Sequence, residues 1–217
     1  MENDLKIIKI IFFLITAFVL AACSSGPENL STAKENVIVY YKSGKFDKEL
    51  NSVIGKAIDK FEDFHPAHND AVVFDIDETV LSNYEFNKEC DFGYDSVLWD
   101  NWVAQAKAPP MKSVRKLYDF FLLKNLKIIF ITGRNDSQYK ATYKNLLTAG
   151  YNKFDTLIVR KSGEYNLTAL QYKSEKRAAL TRKGYSIVCD IGDQFSDLDG
   201  PDHGVQVKIP NYMYIIK

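Results

Sequence analysis

The sequence predicts an α/β protein built on a parallel sheet with helices on both faces. Short apolar runs at 71–74, 127–131, 154–159, 185–191 and 205–209 read as buried strands. Stretches of helical periodicity separate them, and strands that alternate with helices point to a parallel sheet. The strand ends add a third observation. Asp75 and Asp77 follow the first run, Thr132 the second, and Asp193 and Asp197 the fourth. In a parallel sheet these ends share one edge, and ligands of open α/β sheets bind beyond the carboxyl ends of the strands.

The chain opens with a separate layout. Lys6 and Lys9 lie in a basic start, 10–20 are nearly all apolar, and Leu20-Ala21-Ala22-Cys23 closes the run before a loop-like Ser24-Ser25-Gly26-Pro27. That is the pattern of a signal peptide, and its apolar part is shorter than the roughly 20 residues of a membrane span. Leu-Ala-Ala-Cys resembles a bacterial lipobox. The resemblance implies that 1–22 are removed and that Cys23 is lipidated. The mature chain would then be anchored to the membrane on the extracytoplasmic side of the cell envelope. Ser24 resembles the signal for outer-membrane sorting in a Gram-negative cell. An ordinary secretory signal that happens to hold a cysteine is the alternative.

Residues 23–44 form a linker with a helix over 29–41, and a second helix covers 45–64, the two broken at Gly44. Leu50, Val53, Ile54, Ala57, Ile58 and Phe61 make an amphipathic stripe, so this arm is expected to pack on the core. His65 and His68 flank a proline and read as a surface loop, not a metal pair. The stretch 81–110 is irregular and rich in aromatics, with a possible helix over 96–108 stopped by Pro109-Pro110. Ser113 is expected to cap a helix carrying Val114, Leu117, Phe120 and Phe121. Asp136 or Ser137 starts another, with Gly150 as its left-handed stop. A short helix over 174–182 precedes the fourth strand. Cys189 lies in an apolar run and reads as a small hydrophobe, although an exported chain would also permit a pair with Cys90.

Composition fits one globular domain, 45–217, with 46% hydrophobic and 26% charged residues. The formal net charge is zero, so the electrostatic footprint of a nucleic-acid polymer partner is missing. Acidic residues at the end of a buried strand need a reason, because an unpaired buried carboxylate protonates. A cation or phosphate site supplies one; helix capping by Asp77 or Thr79 is the bland alternative.

The motifs resolve this choice. Asp75-x-Asp77-x-Thr79, Thr132-Gly133-Arg134, Lys173 and Gly192-Asp193-x-x-x-Asp197 resemble the four-motif signature of the haloacid dehalogenase (HAD) superfamily phosphatases. The longer strings Phe74-Asp-Ile-Asp-Glu-Thr-Val-Leu-Ser-Asn83 and Tyr172-Lys-Ser-Glu-Lys-Arg177 are similar to subfamily IIIB. That group includes bacterial lipoprotein acid phosphatases and plant vegetative storage proteins. The resemblance implies a HAD-like Rossmannoid parallel sheet flanked by helices, a small cap-like insert (81–110) after the first strand, and an N-terminal helical arm.

It also implies roles. Asp75 would be the nucleophile that becomes an aspartyl-phosphate, and Asp77 the general acid and base. Mg²⁺ would be held by Asp75, Asp193 and the backbone carbonyl of Asp77, with Asp197 either a further ligand or a partner that orients the ligands. Thr132, Gly133 and Lys173 would hold the phosphoryl oxygens, with Lys176 as the alternative lysine. Arg134 stays open as a participant, and Glu78, expected to point away from Asp77, reads as structural. The substrate would be a small phosphate monoester, a 5′-nucleotide among the candidates. For Trp99 and Trp102, stacking on a flat leaving group and packing in a local core remain equal readings. A non-catalytic storage or binding lipoprotein and a phosphotransferase are the competing functions. Plant storage relatives lose the nucleophilic aspartate, whereas Asp75 is present here.

Overall fold

A computed structural model describes residues 26–216. The signal layout and Cys23 lie outside the described residues. The chain divides into two units, 1–36 and 37–217. In the first, Asn36 Nδ2 donates to Glu28 Oε1 at 2.7 Å. Helix α1 (Leu30–Lys42) begins there, and α2 (Lys45–Phe61) follows Gly44. Gly44 has φ +79°, which a residue without Cβ adopts freely, so the break expected at this glycine is present.

The second unit contains β1 (Asp70–Phe74), α3 (Tyr84–Glu89), α4 (Ser96–Gln105), α5 (Lys112–Leu123), β2 (Lys127–Asn135), α6 (Tyr139–Thr148), β3 (Thr156–Arg160), α7 (Ala169–Arg182), β4 (Ser186–Gly192), α8 (Phe195–Leu198) and β5 (Val205–Lys208). All strand pairs are parallel, in the order β3-β2-β1-β4-β5. The expected α/β fold is therefore present.

Both faces of the central strands are covered, which explains why they read as continuous apolar runs. Val72, Phe74, Ile128 and Phe130 join one core cluster with Leu50, Ile54 and Phe61 of α2 and Val114, Leu117 and Phe121 of α5. Ala71, Val73, Ile129 and Ile131 face the other way, against Tyr172 and Leu180 of α7. The alternation follows from the two-residue period of a strand. The α2 stripe thus packs on the core as its periodicity implied.

Several local expectations change. Ser113 caps nothing: it lies inside α5, whose N-cap is Met111, and its Oγ donates to Asn51 Oδ1 at 2.6 Å. Helix α7 starts at Ala169 instead of 174, because Thr168 and Gln171 form a reciprocal capping box. Lys173 therefore sits inside a helix. Strand β2 runs on through Thr132-Gly133-Arg134 to Asn135. The 81–110 insert holds an additional short helix, α3. Gly150 has φ +92° and ends α6 as expected. Cys90 and Cys189 are both free, and Cys189 is buried. His65 and His68 are exposed. Among the described residues, no helix is long and apolar enough to cross a membrane.

Candidate active site

The sheet register brings the strand ends together. Phe74 pairs with Ile191 of β4 and Phe130 of β2, so the residues that follow each emerge side by side. Asp75 N donates to Ile191 O at 2.8 Å, which fixes the first acid beside β4. The chain then turns sharply: Ile76 O accepts from Val80 N at 3.0 Å and Leu81 N at 2.9 Å, and Glu78 takes φ +55°. A left-handed conformation is uncommon for a residue with a Cβ and marks a backbone held by its surroundings.

Asp75, Asp193 and Asp197 converge. Their carboxylate oxygens lie within 4.8 Å of one another, and all three residues are buried. The Lys173 ammonium pairs with Asp75 and lies 2.6 Å from Asp197 Oδ1. Burial works to lower the Lys173 pKa, but the charges of Asp197 and Asp75 outweigh it and hold the group above its ordinary value. Burial pushes the Asp75 carboxyl well up; Lys173 opposes this, and Asp197, Asp193 and Asp77 add to it. Asp193 is pushed up to about 7 by burial, then by Asp197 and Glu78, against hydrogen bonds from Asn211 and Gln194. Once ionised, three carboxylates against one ammonium leave an excess of two negative charges on hard oxygen donors. That donor set fits a divalent cation such as Mg²⁺.

The supports of this cluster are local and specific. Asn211 Nδ2 donates to Asp193 Oδ2 at 2.6 Å, Gln194 Nε2 to the same oxygen at 2.5 Å, and Thr79 Oγ1 to Asp193 Oδ1 at 3.4 Å. Asp197 Oδ2 accepts from Gln194 N at 2.9 Å. A Cβ at Gly192 would meet the Asp197 Cβ at 2.3 Å, so the glycine reserves the space into which that side chain folds.

Asp77 stands apart from the trio. Arg134 grips it, Nη2 to Oδ1 at 2.7 Å and Nε to both oxygens at 3.1 Å. Asn83 Nδ2 donates to Asp77 Oδ1 at 2.9 Å and to Glu78 Oε2 at 3.2 Å. Glu78 does not point away. It is buried, accepts from Tyr214 Oη at 2.6 Å, and lines the same cavity as Asp77. Alternation fails here because β1 stops at Phe74 and the turn replaces strand geometry. Burial, then the Asp77 charge, raises the Glu78 pKa to about 7 against its hydrogen bonds.

These acids open on a cavity of about 600 Å³. Its walls include Phe86, Phe92, Tyr94 and Trp99 from the insert, Tyr165 from the β3–α7 connection and Tyr172 from α7. Arg160 also lines it, its guanidinium carbon 5.2 Å from the Tyr172 ring. Trp99 and Trp102 divide the two readings between them. Trp99 lines the cavity, while Trp102 packs against the core cluster.

The model of HAD superfamily, subfamily IIIB (acid phosphatase) matches residues 22–217. The chain belongs to this subfamily. Among curated relatives, acid phosphatase 1 of Solanum lycopersicum is 39% identical over 151 residues, 68% of this chain. The match spans 59% of the tomato protein's length. The stem 31 kDa glycoprotein of Glycine max is 35% identical over 183 residues, 82% of this chain and 72% of that protein. Among solved structures, the class C acid phosphatase from Bacillus anthracis, with tungstate bound, superposes with a TM-score of 0.68 at 22% identity, over 84% of this chain and 86% of that one. This likeness bears out the HAD-like fold.

In this subfamily IIIB chain, the expected site residues fall into three groups. Asp75, Asp193, Asp197 and Lys173 come together directly. The rival Lys176 turns away and pairs with Glu164. Asp77 lies beside them with its carboxylate in the grip of Arg134. Gly133 is exposed and lines the cavity, whereas Thr132 is fully buried and its Oγ1 accepts from Arg134 N at 3.2 Å. Asn83, Gln194, Asn211 and Tyr214 were not anticipated. Asn211 and Tyr214 have partners distant in sequence and Asn83 is reached through the turn, whereas Gln194 sits beside Asp193 and caps α8 in a box with Asp197, a local signal. Arg134 carried a signal, since it follows Thr132-Gly133 at the end of a strand.

Proposed function

We propose that this chain is an acid phosphatase that hydrolyses small phosphate monoesters through an aspartyl-phosphate on Asp75. One observation carries the reading: Asp75 and Lys173 form a buried ion pair at the floor of a cavity that Asp77 also lines. Unaided phosphate-monoester hydrolysis is so slow that an enzyme must lower its barrier by roughly 20 kcal/mol, and a covalent route divides that task. An Asp75 oxygen bonds to phosphorus as the ester oxygen departs with its electron pair. Asp77 gives that oxygen a proton, then takes one from the water that attacks the phosphoenzyme and frees Asp75. Lys173 and the backbone at Gly133 hold the phosphoryl oxygens, with Thr132 shaping that backbone. Asp75, Asp193, Asp197 and the Asp77 carbonyl would hold Mg²⁺, which when bound screens the repulsion between Asp75 and the incoming dianion.

The substrate side is read from the walls. Aromatic rings from the insert and from the β3–α7 segment line the cavity and suit a flat leaving group such as the base of a 5′-nucleotide, since stacking contributes about 1–3 kcal/mol per base. We further propose the lipid anchor on Cys23 and an extracytoplasmic location at the cell envelope, with the outer membrane as the site in a Gram-negative cell. Both rest on the lipobox-like end of 1–22. A second reading, a non-catalytic storage protein, is favoured by the 29% identity to vegetative storage protein 1 of Arabidopsis thaliana. The paired Asp75 and Lys173 argue against it.

Phosphate release by the chain lacking residues 1–23 tests the activity. Wild type should release phosphate, EDTA should stop it, and Asp75→Asn should abolish it. Equal release by Asp75→Asn would overturn the mechanism. Retention of Cys23→Ser in the membrane fraction would overturn the anchor.

A further inference from the structure

Helix α4 of the insert reaches both groups that hold Asp77. Arg134 and Asn83 together place donors on Asp77 Oδ1 at 2.7, 2.9 and 3.1 Å. Each of these residues has an α4 tryptophan behind it. Trp102 Nε1 donates to Asn83 Oδ1 at 2.8 Å. The Trp99 ring lies 5.5 Å from the Arg134 guanidinium carbon, inside cation–π range. The two tryptophans are three residues apart and so share a helix face.

The indole decides how the Asn83 amide is oriented. An indole N–H only donates, so it claims the amide oxygen and leaves Nδ2 for the two carboxylates, Asp77 and Glu78. Reversed, the amide would set its oxygen against both carboxylates and its NH₂ against an N–H. Asn83 is fully buried, so bulk water does not compensate for the wrong orientation. The donors crowd Oδ1. Among the described residues, Oδ2 accepts only from Arg134 Nε, at 3.1 Å.

We propose that Trp102, through Asn83, is a positioning residue for Asp77, and that Trp99 acts likewise through Arg134, so that the insert helix sets the geometry of proton transfer to the leaving oxygen. This rests on Asp77 as the proton donor, the role assigned above. Trp99 also lines the cavity, and its replacement would alter substrate contacts. Trp102, packed against the core cluster, isolates the positioning role.

The test compares kcat/KM for two esters, para-nitrophenyl phosphate, whose leaving group departs without a proton, and a simple alkyl phosphate, whose alkoxide requires one. It is run on the Mg²⁺-supplied chain lacking residues 1–23, as wild type, Asp77→Asn and Trp102→Phe. Phe keeps a ring against Phe86, whose centroid lies 5.9 Å from that of Trp102, and removes the N–H. General acid catalysis contributes typically about 10²–10⁴-fold, so Asp77→Asn should lose that much more on the alkyl ester than on the aryl one. Trp102→Phe should lose about tenfold on the alkyl ester and less than about twofold on the aryl ester, as befits a donor displaced but still present. Asn83→Ser, which removes the amide and keeps the backbone donor to Glu78 Oε1, should show the same selectivity and serves if Trp102→Phe does not fold. Equal losses on both esters, or none, in these variants while Asp77→Asn discriminates would overturn the positioning role and leave the proton donor standing. Lack of discrimination by Asp77→Asn would overturn both.

Discussion

The Lys173 ammonium lies 2.6 Å from Asp197 Oδ1, and the same nitrogen pairs with Asp75. One cation thus binds the proposed nucleophile to a proposed metal ligand on a different strand connection. Removing it leaves buried carboxylates without an internal counter-charge. Lys173→Met should destabilise the fold at neutral pH by about 3–5 kcal/mol and cut phosphate release at least about a hundredfold. Lys176→Met breaks only a half-buried pair with Glu164 and should change stability by no more than about 1 kcal/mol. Urea unfolding and phosphate release on both variants check the contrast. Matching losses would mean that Lys173 is not the lysine of the site.

Stability should fall as pH rises through the weakly acidic range in protein stripped of divalent cations. Asp190 is raised to about 6 and Asp193 to about 7 from 3.8, and Glu78 to about 7 from 4.5, each first by burial. A raised carboxyl keeps its proton in the folded state after the unfolded chain has lost it. Between about pH 4 and 7 the unfolded state therefore binds fewer protons, and the slope of unfolding free energy with pH is negative. Thermal unfolding in EDTA should show a Tm that drops across this interval, and added Mg²⁺ should restore it at the upper end. A Tm rising with pH over the same window would contradict the burial of these groups.

Arg177 pins the segment that carries Asp197. It is fully buried, Nη1 donates to Asp197 O at 2.7 Å, Nη2 donates to Asp199 O, and Nε lies 3.8 Å from Asp190 Oδ1. Arg177→Met should cost about 3–5 kcal/mol, because it leaves the buried Asp190 with no cation beside it and only the Gly204 N–H donating to it, and leaves the Asp197 and Asp199 carbonyls without their donors. It should also weaken Mg²⁺ binding by freeing the Asp197 backbone. Denaturant melts and isothermal titration with Mg²⁺ measure the two effects separately.

Gly192→Ala should act on the site more than on the fold. Its Cβ would fall 2.5 Å from Asp197 Oδ2, so the carboxylate must move out of the cluster. Overpacking of this kind typically costs about 1–3 kcal/mol. The expected outcome is a folded protein with at least about tenfold weaker Mg²⁺ affinity, read by titration. Unchanged affinity would show that Asp197 does not help hold the metal.

What the sequence showed and hid follows from the range of the interactions. The central strands were legible because both their faces are covered, and Val72-Val73-Phe74 carries that in three letters. The acids that follow β1 and β4 were legible because charge after a buried run calls for a cation, a phosphate or a helix to cap, and three such strand ends share one edge. Helix α3, with six residues, is too short for periodicity to declare it. The true start of α7 was written in Thr168 and Gln171, a local signal masked by the motif beginning at Tyr172. The grip of Arg134 on Asp77 spans 57 positions, and that of Tyr214 on Glu78 spans 136. Such pairs exist only once the sheet is assembled, and nothing near either residue announces the other.

The strand order has a consequence for how the molecule comes into being. Strand β1 sits between β2 and β4, so a nascent chain that has emerged only as far as β3 leaves one edge of its central strand without hydrogen bonds. An open edge of that kind invites pairing with other chains. Long-range parallel pairing is also intrinsically slow to form. Residues 186–192 close that edge, and the acids at 193 and 197 arrive directly behind them. The segment that ends the vulnerable interval also delivers Asp193 and Asp197, so the carboxylate cluster with Asp75 cannot assemble while that edge stays open.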